Sequence, residues 1–122
     1  MNKQILFLLK NIISETNFFN FMEKINEEDF FNLREDESFE SEWLENFNDL
    51  KKVKLDDDLV EIINQIREIS FKNTFLYTQN PEISSYISDD FELISKSLLL
   101  NEDNWILKHL WKAYQNQKIY IN

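Results

Sequence analysis

Hydrophobic positions along this chain recur mostly at helical spacing. Ile5, Leu6, Leu9, Ile12 and Ile13 form a broad stripe along one helical face. Phe18, Phe21, Met22 and Ile25 continue it after a break at Ser14–Asn17. Phe39, Trp43, Phe47 and Leu50 recur about once per turn and predict a second amphipathic helix. Leu59, Ile62, Ile63, Ile66 and Ile69 give the cleanest helical pattern of all. The stretch Phe71–Gln79 fits helix or strand, and Pro81, after Asn80, should end whatever precedes it. Phe91, Ile94 and Leu98 face one way in a further predicted helix. Trp105, Ile106, His109, Leu110 and Ala113 line one face of a last helix, with Leu107, Trp111 and Tyr114 on another. A helix apolar on two sides is expected at the centre of the fold.

Polar residues punctuate these stripes. Asn26 is placed to cap a short helix whose first turn, Glu27-Glu28-Asp29, puts acids where the helix dipole favours them. Asp89 is expected to cap another, with Glu92 three residues on closing the box. Asn101–Asn104 reads as a turn, and the tail Lys118-Ile119-Tyr120-Ile121 as a short strand or an extended strap. No repeat, low-complexity tract or internal boundary interrupts residues 1–122. The expected fold is a single compact all-α domain of several helices, with at most a minor strand.

Composition sharpens this. A chain of 122 residues, 43% hydrophobic and with eighteen aromatics, can bury a core amounting to roughly two-thirds of its unfolded surface. There is no cysteine, so no disulfide framework and no thiolate metal site is expected. There is also no glycine, which excludes phosphate-binding loops, dinucleotide fingerprints and calcium loops in their usual form. Fifteen asparagines remain to supply left-handed turns. Asp56-Asp57-Asp58 lacks the spacing of a calcium loop and reads as a helix N-terminus. The apolar run Ile5–Leu9 stops at Lys10, too short for a signal peptide or a membrane span. A soluble cytoplasmic protein without cofactor or metal is the expectation.

Charge changes the picture most. Between Glu27 and Asp49 lie ten acids and one base, Arg34, whereas the rest of the chain holds thirteen acids and twelve bases. A surplus confined to one segment makes a local field that selects a basic partner. Glu42, Glu45 and Asp49 stand at i, i+3 and i+7, a row of like charges that costs a few tenths of a kcal/mol per pair. A solvated helix face is the plain alternative to a docking surface. The candidate partner-binding residues are Glu35, Asp36, Glu37, Glu40, Glu42, Trp43, Glu45 and Asp49. Most of the interleaved aromatics Phe30, Phe31, Phe39, Trp43 and Phe47 belong in a core. One or two left exposed among the acids would serve as an anchor.

Enzyme chemistry finds little support. Histidine and cysteine carry most acid–base and nucleophilic work, and His109 stands alone within an apolar helical pattern, where a packed imidazole is the simpler reading. Direct nucleic-acid binding is disfavoured, because a strongly negative domain cannot release the counterions that drive it.

The run Ser88-Asp89-Asp90-Phe91-Glu92-Leu93-Ile94, a short acidic turn before Trp105, then Leu110-Trp111, Tyr114 and Lys118-Ile119 resembles the ending of small helical immunity proteins. These are encoded beside contact-dependent or other polymorphic toxins. The resemblance covers about thirty-five residues of 122 and consists of capping and packing positions, so it assigns no functional residue. It implies a cytoplasmic protein that binds one toxin domain and blocks it. With the acidic segment, it suggests an inhibitor of a basic toxin, a nuclease foremost, that occludes the active or substrate-binding surface. The alternative is a phage anti-defence protein that mimics nucleic acid.

Overall fold

The computed structural model describes residues 2–120. Six α-helices, a 3₁₀ turn and a π-helical turn form the fold, with no strand among the described residues. They are α1 (Gln4–Ser14), α2 (Glu27–Glu35), α3 (Glu37–Leu50), α4 (Asp57–Thr78), α5 (Pro81–Leu100) and α6 (Lys112–Gln115). The 3₁₀ turn Asn20–Lys24 follows α1, and the π-helical turn Ile106–Trp111 runs directly into α6.

The long helices α4 and α5 form an antiparallel hairpin, and α5 is the axis of the molecule: α1, α3, α4 and the π-helical turn all pack on it. The C-terminal helical segment, expected at the centre from its two apolar faces, instead lies on the side of α5. Its positions Ile106, Leu110, Trp111, Ala113 and Tyr114 are buried, while Trp105, Leu107 and His109 are half-buried. Two structural reasons make α5 central. Its Ile83, Ile87, Phe91 and Ile94 are fully enclosed, and serines at Ser84, Ser88, Ser95 and Ser97 keep its remaining inner positions small. In a chain with one alanine and no glycine, serine supplies the small contacts that let helices approach. The hydroxyls do not go unpaired: Ser84 donates to the Asn80 carbonyl (2.8 Å), Ser88 to that of Arg67 (3.1 Å) and Ser95 to that of Phe91 (2.6 Å).

Several expected boundaries hold. Leu6, Leu9 and Ile13 are buried along α1, the chain breaks after Ser14, and Asn26 accepts from the Asp29 amide at 2.9 Å. The stretch after the break is a 3₁₀ turn, so its inner face follows three-residue spacing: Phe19 and Met22 are buried and Ile25 half-buried. Phe71–Gln79 resolves as helix, since α4 continues to Thr78. Asp89 caps nothing; it lies in the middle of α5. That helix starts at Pro81, whose missing N–H costs nothing at the first helical position, and Asn80 caps it by accepting from both Glu82 and Ile83 amides (2.9 and 3.0 Å).

Without glycine, three of the described residues, each with a side chain, take up positive φ: Gln79 (54°), Asn101 (52°) and Gln117 (57°). Asn101 and Gln117 each close a helix with a six-to-one bond, Glu102 N to Ser97 O (3.1 Å) and Lys118 N to Ala113 O (2.9 Å). Lys118, Ile119 and Tyr120 form a short strap, bent at Ile119, rather than a strand. Tyr120 packs on Phe39 (5.3 Å between rings) and stacks on His109 (5.7 Å); Ile121 lies outside the described residues.

Candidate functional site

The acidic segment folds into two helices joined at a single residue. Asp36 closes α2 and, in an extended conformation, opens α3 by accepting from the Phe39 amide at 3.1 Å. The resulting corner places Glu27, Glu28 and Asp29 at the start of α2 and Glu37 and Glu40 in the first turn of α3. All ten of its acids are exposed. The single base of the segment, Arg34, is turned inward.

Arg34 meets Asp90, which stands among the apolar positions of α5. Its Nη1 donates to Asp90 Oδ1 at 2.8 Å and its Nη2 makes a close ion pair with Oδ2. The indole of Trp43 donates to Oδ1 at 2.8 Å, and the Tyr114 hydroxyl donates to Oδ2 at 2.6 Å. One carboxylate therefore ties α2, α3 and α6 to α5. Both charges are out of water, Asp90 fully and Arg34 with 6% of its surface exposed. Four donated hydrogen bonds compensate Asp90. The Arg34 guanidinium lies 4.9 Å from the Phe39 ring centre, 5.0 Å from that of Phe30 and 5.5 Å from that of Tyr86, and its Nε has no hydrogen-bond acceptor among the described residues. Burial works against the Arg34 charge, but Asp90 outweighs it and holds the guanidinium's pKa above its ordinary value. Burial, and after it the Asp90 charge, push the Tyr114 hydroxyl well above the usual tyrosine range.

Of the candidate binding residues, Trp43 is half-buried, stacked on Phe47 (5.5 Å, 12°) and committed to Asp90. Asp36 is engaged as the cap, and Asp49 lies 3.9 Å from Lys52. Glu35, Glu37, Glu40, Glu42 and Glu45 make no ion pair with any described residue. Helical spacing divides α3 into two rims about Trp43. Glu42, Glu45 and Asp49 follow one side, Glu37 and Glu40 the other. Among the interleaved aromatics, Phe30 and Phe39 are core, and Phe31, Trp43 and Phe47 are half-buried.

On the Glu40 side a cleft of about 260 Å³ opens between α3 and α5, lined by Arg34, Phe39, Glu40, Trp43, Leu44, Tyr86 and Asp89. Leu44, Tyr86 and Asp89 are absent from the sequence-derived site. Two signals for this region were present: a lone base in an acidic run, and an acid, Asp90, on the apolar stripe of Ile83, Ile87, Phe91 and Ile94. Asp89 takes no part in the Arg34–Asp90 latch but accepts from Arg67 Nη2 at 2.7 Å; burial pushes its carboxyl up, against the pull of Arg67 and with Asp90 and Glu92 adding to the rise. Among the described residues no cluster of three or more His, Asp and Glu is arranged to hold a metal, and no helix is long and apolar enough to cross a membrane.

The sequence matches the family described as Immunity protein PIM1 over residues 8–120, which takes in every element from within α1 to the C-terminal strap. The chain belongs to that family. Membership makes it an immunity-type inhibitor, with a cognate toxin as its partner. The match spans the whole acidic corner and the Arg34–Asp90 latch, well beyond the C-terminal third on which the sequence resemblance rests. A comparison with curated proteins gives no match.

Proposed function

We propose that this immunity protein neutralises a basic toxin domain, foremost a nuclease, by laying the α2–α3 corner across its active or substrate-binding surface. The observation that carries this reading is the combination of exposed, unpaired carboxylates with a buried latch. Glu35, Glu37, Glu40, Glu42 and Glu45 face solvent without an ion pair to any described residue, while Arg34 and Trp43 hold the helices beneath them to Asp90. The backbone that presents these carboxylates is set before the toxin arrives, so the ordering entropy lost on binding is confined to their side chains. They also steer a basic partner, raising association toward about 10⁸–10⁹ M⁻¹s⁻¹ at low salt. Half-buried aromatics among the acids favour recognition by shape as well as charge, which suits a single toxin better than a regular array of phosphates.

Reversing Glu42, Glu45 and Asp49 to lysine tests the interface. Their side chains support no buried contact, so helical circular dichroism is expected to persist while protection against the toxin is lost. A carboxylate facing a partly buried base is worth about 2–5 kcal/mol on removal. Full protection by the folded triple variant would exclude these three residues from the interface.

A further inference from the structure

The cleft between α3 and α5 has a composition that the corner's outer face lacks. Its walls are the rings of Phe39, Trp43 and Tyr86 with Leu44, which is 45% exposed at the mouth. Two carboxylates, Glu40 and Asp89, line it from opposite helices. The cation among its lining residues, Arg34, is already neutralised by two bonds to Asp90. Glu40 is fully available, and Asp89 is bound to Arg67 through Oδ1 alone. At about 260 Å³ the cleft falls below the usual range for small-molecule sites, roughly 300–1,000 Å³, and suits a single long side chain.

We propose that this cleft is the socket for one arginine side chain of the cognate toxin. The occupant follows from charge and shape complementarity. Trp43, the lining ring that the Arg34 guanidinium does not already flank, attracts a flat cation, and guanidinium stacks on rings and bridges carboxylates through a planar fork that an ammonium lacks. A cation between Glu40 and Asp89 would also act with Arg67 against the rise that burial imposes on the Asp89 carboxyl. The inference rests on the reading that the acidic corner faces the toxin, and it assigns the anchoring contact to the Glu40 side of α3. The Glu42–Glu45–Asp49 side supplies the charged contacts around that anchor, together with steering.

Two measurements test it. In the first, N-acetyl-arginine amide is titrated into the protein while the Trp43 indole N–H resonance is followed by NMR, with N-acetyl-norleucine amide as control. A saturable shift in the millimolar range with arginine alone, weakened at least about fivefold by Glu40→Gln, is expected. Equal, non-saturating shifts with both amides would overturn the socket. The second uses the cognate toxin domain and the Leu44→Arg protein, in which a guanidinium is supplied from within the chain. With circular dichroism unchanged, its Kd is expected to rise at least about tenfold, mainly through dissociation. Unchanged binding by both Leu44→Arg and Glu40→Gln, with binding lost on reversing Glu42, Glu45 and Asp49, refutes the socket and leaves the acidic interface standing. If all these variants bind normally, both readings fall.

Discussion

At the scale of single residues the Arg34–Asp90 pair dominates. Removing one partner strands a buried charge, so Arg34→Met and Asp90→Asn are each expected to cost about 3–5 kcal/mol in urea unfolding. The double variant Arg34→Met/Asp90→Asn should cost less than the sum of the two, because neither charge is then left alone. Equal and additive losses would show that the pair is not coupled. Tyr114 makes a pH-dependent contribution. Its pKa is raised in the folded protein above the ordinary value of 10.0, so the folded state holds the proton more tightly than the unfolded chain. The stability this provides is complete below about pH 10 and is lost as pH climbs through the folded value. Tyr114→Phe, although less stable at neutral pH, should therefore decline less steeply on the alkaline side. An unchanged alkaline slope would detach Tyr114 from that limb.

At the scale of elements, the absence of glycine has a measurable cost. Gln79 closes α4 at φ 54°, where a Cβ is crowded by roughly 1–2 kcal/mol. Gln79→Gly relieves that crowding, loses part of the gain to the freer unfolded chain, and forfeits two long, exposed bonds from its amide to the Phe75 and Leu76 carbonyls. A net gain of about 0.5 kcal/mol is expected, read as a rise of a few degrees in Tm. A fall would mean that the amide cap outweighs the backbone strain. Elements are also where the reach of the sequence is clearest. Helices with one apolar face and a polar stop were legible: Leu59 to Ile69 marks α4, and Asn26 marks the start of α2. What failed were positions whose meaning depends on a distant partner. Asp89 carries the side chain of a cap, but Pro81 both follows the end of α4, as expected, and opens α5, so that helix begins eight residues before Asp89. The centrality of α5 was hidden because its inner positions are partly serine. Likewise Arg34 and Asp90 lie 56 positions apart, and no local pattern joins them. The cleft residues Leu44, Tyr86 and Asp89 were unreadable for the same reason, since they come from two helices that meet only after folding.

For the molecule as a whole, the charge map predicts how binding responds to salt. Raising ionic strength from about 0.05 to 0.5 M shortens the Debye length from roughly 14 to 4 Å. Steering by the exposed acids weakens, so association with the toxin should slow markedly. Dissociation, governed by packed contacts about Trp43 and the cleft, should change little. Stopped-flow association and surface-bound dissociation measure the two rates separately. A dissociation rate that climbs steeply with salt would show that charge alone, without packed contacts, holds the complex. The latch beneath the acids has a consequence for how such a protein changes over generations. Arg34, Trp43, Asp90 and Tyr114 hold the frame from inside, while Glu35, Glu37, Glu40, Glu42 and Glu45 carry no internal contact that the frame requires. Surface substitutions of that kind usually shift stability by no more than about 0.5 kcal/mol. Lineages can therefore reassign these positions to follow a toxin that alters its own surface, one residue at a time, without passing through an unfolded ancestor.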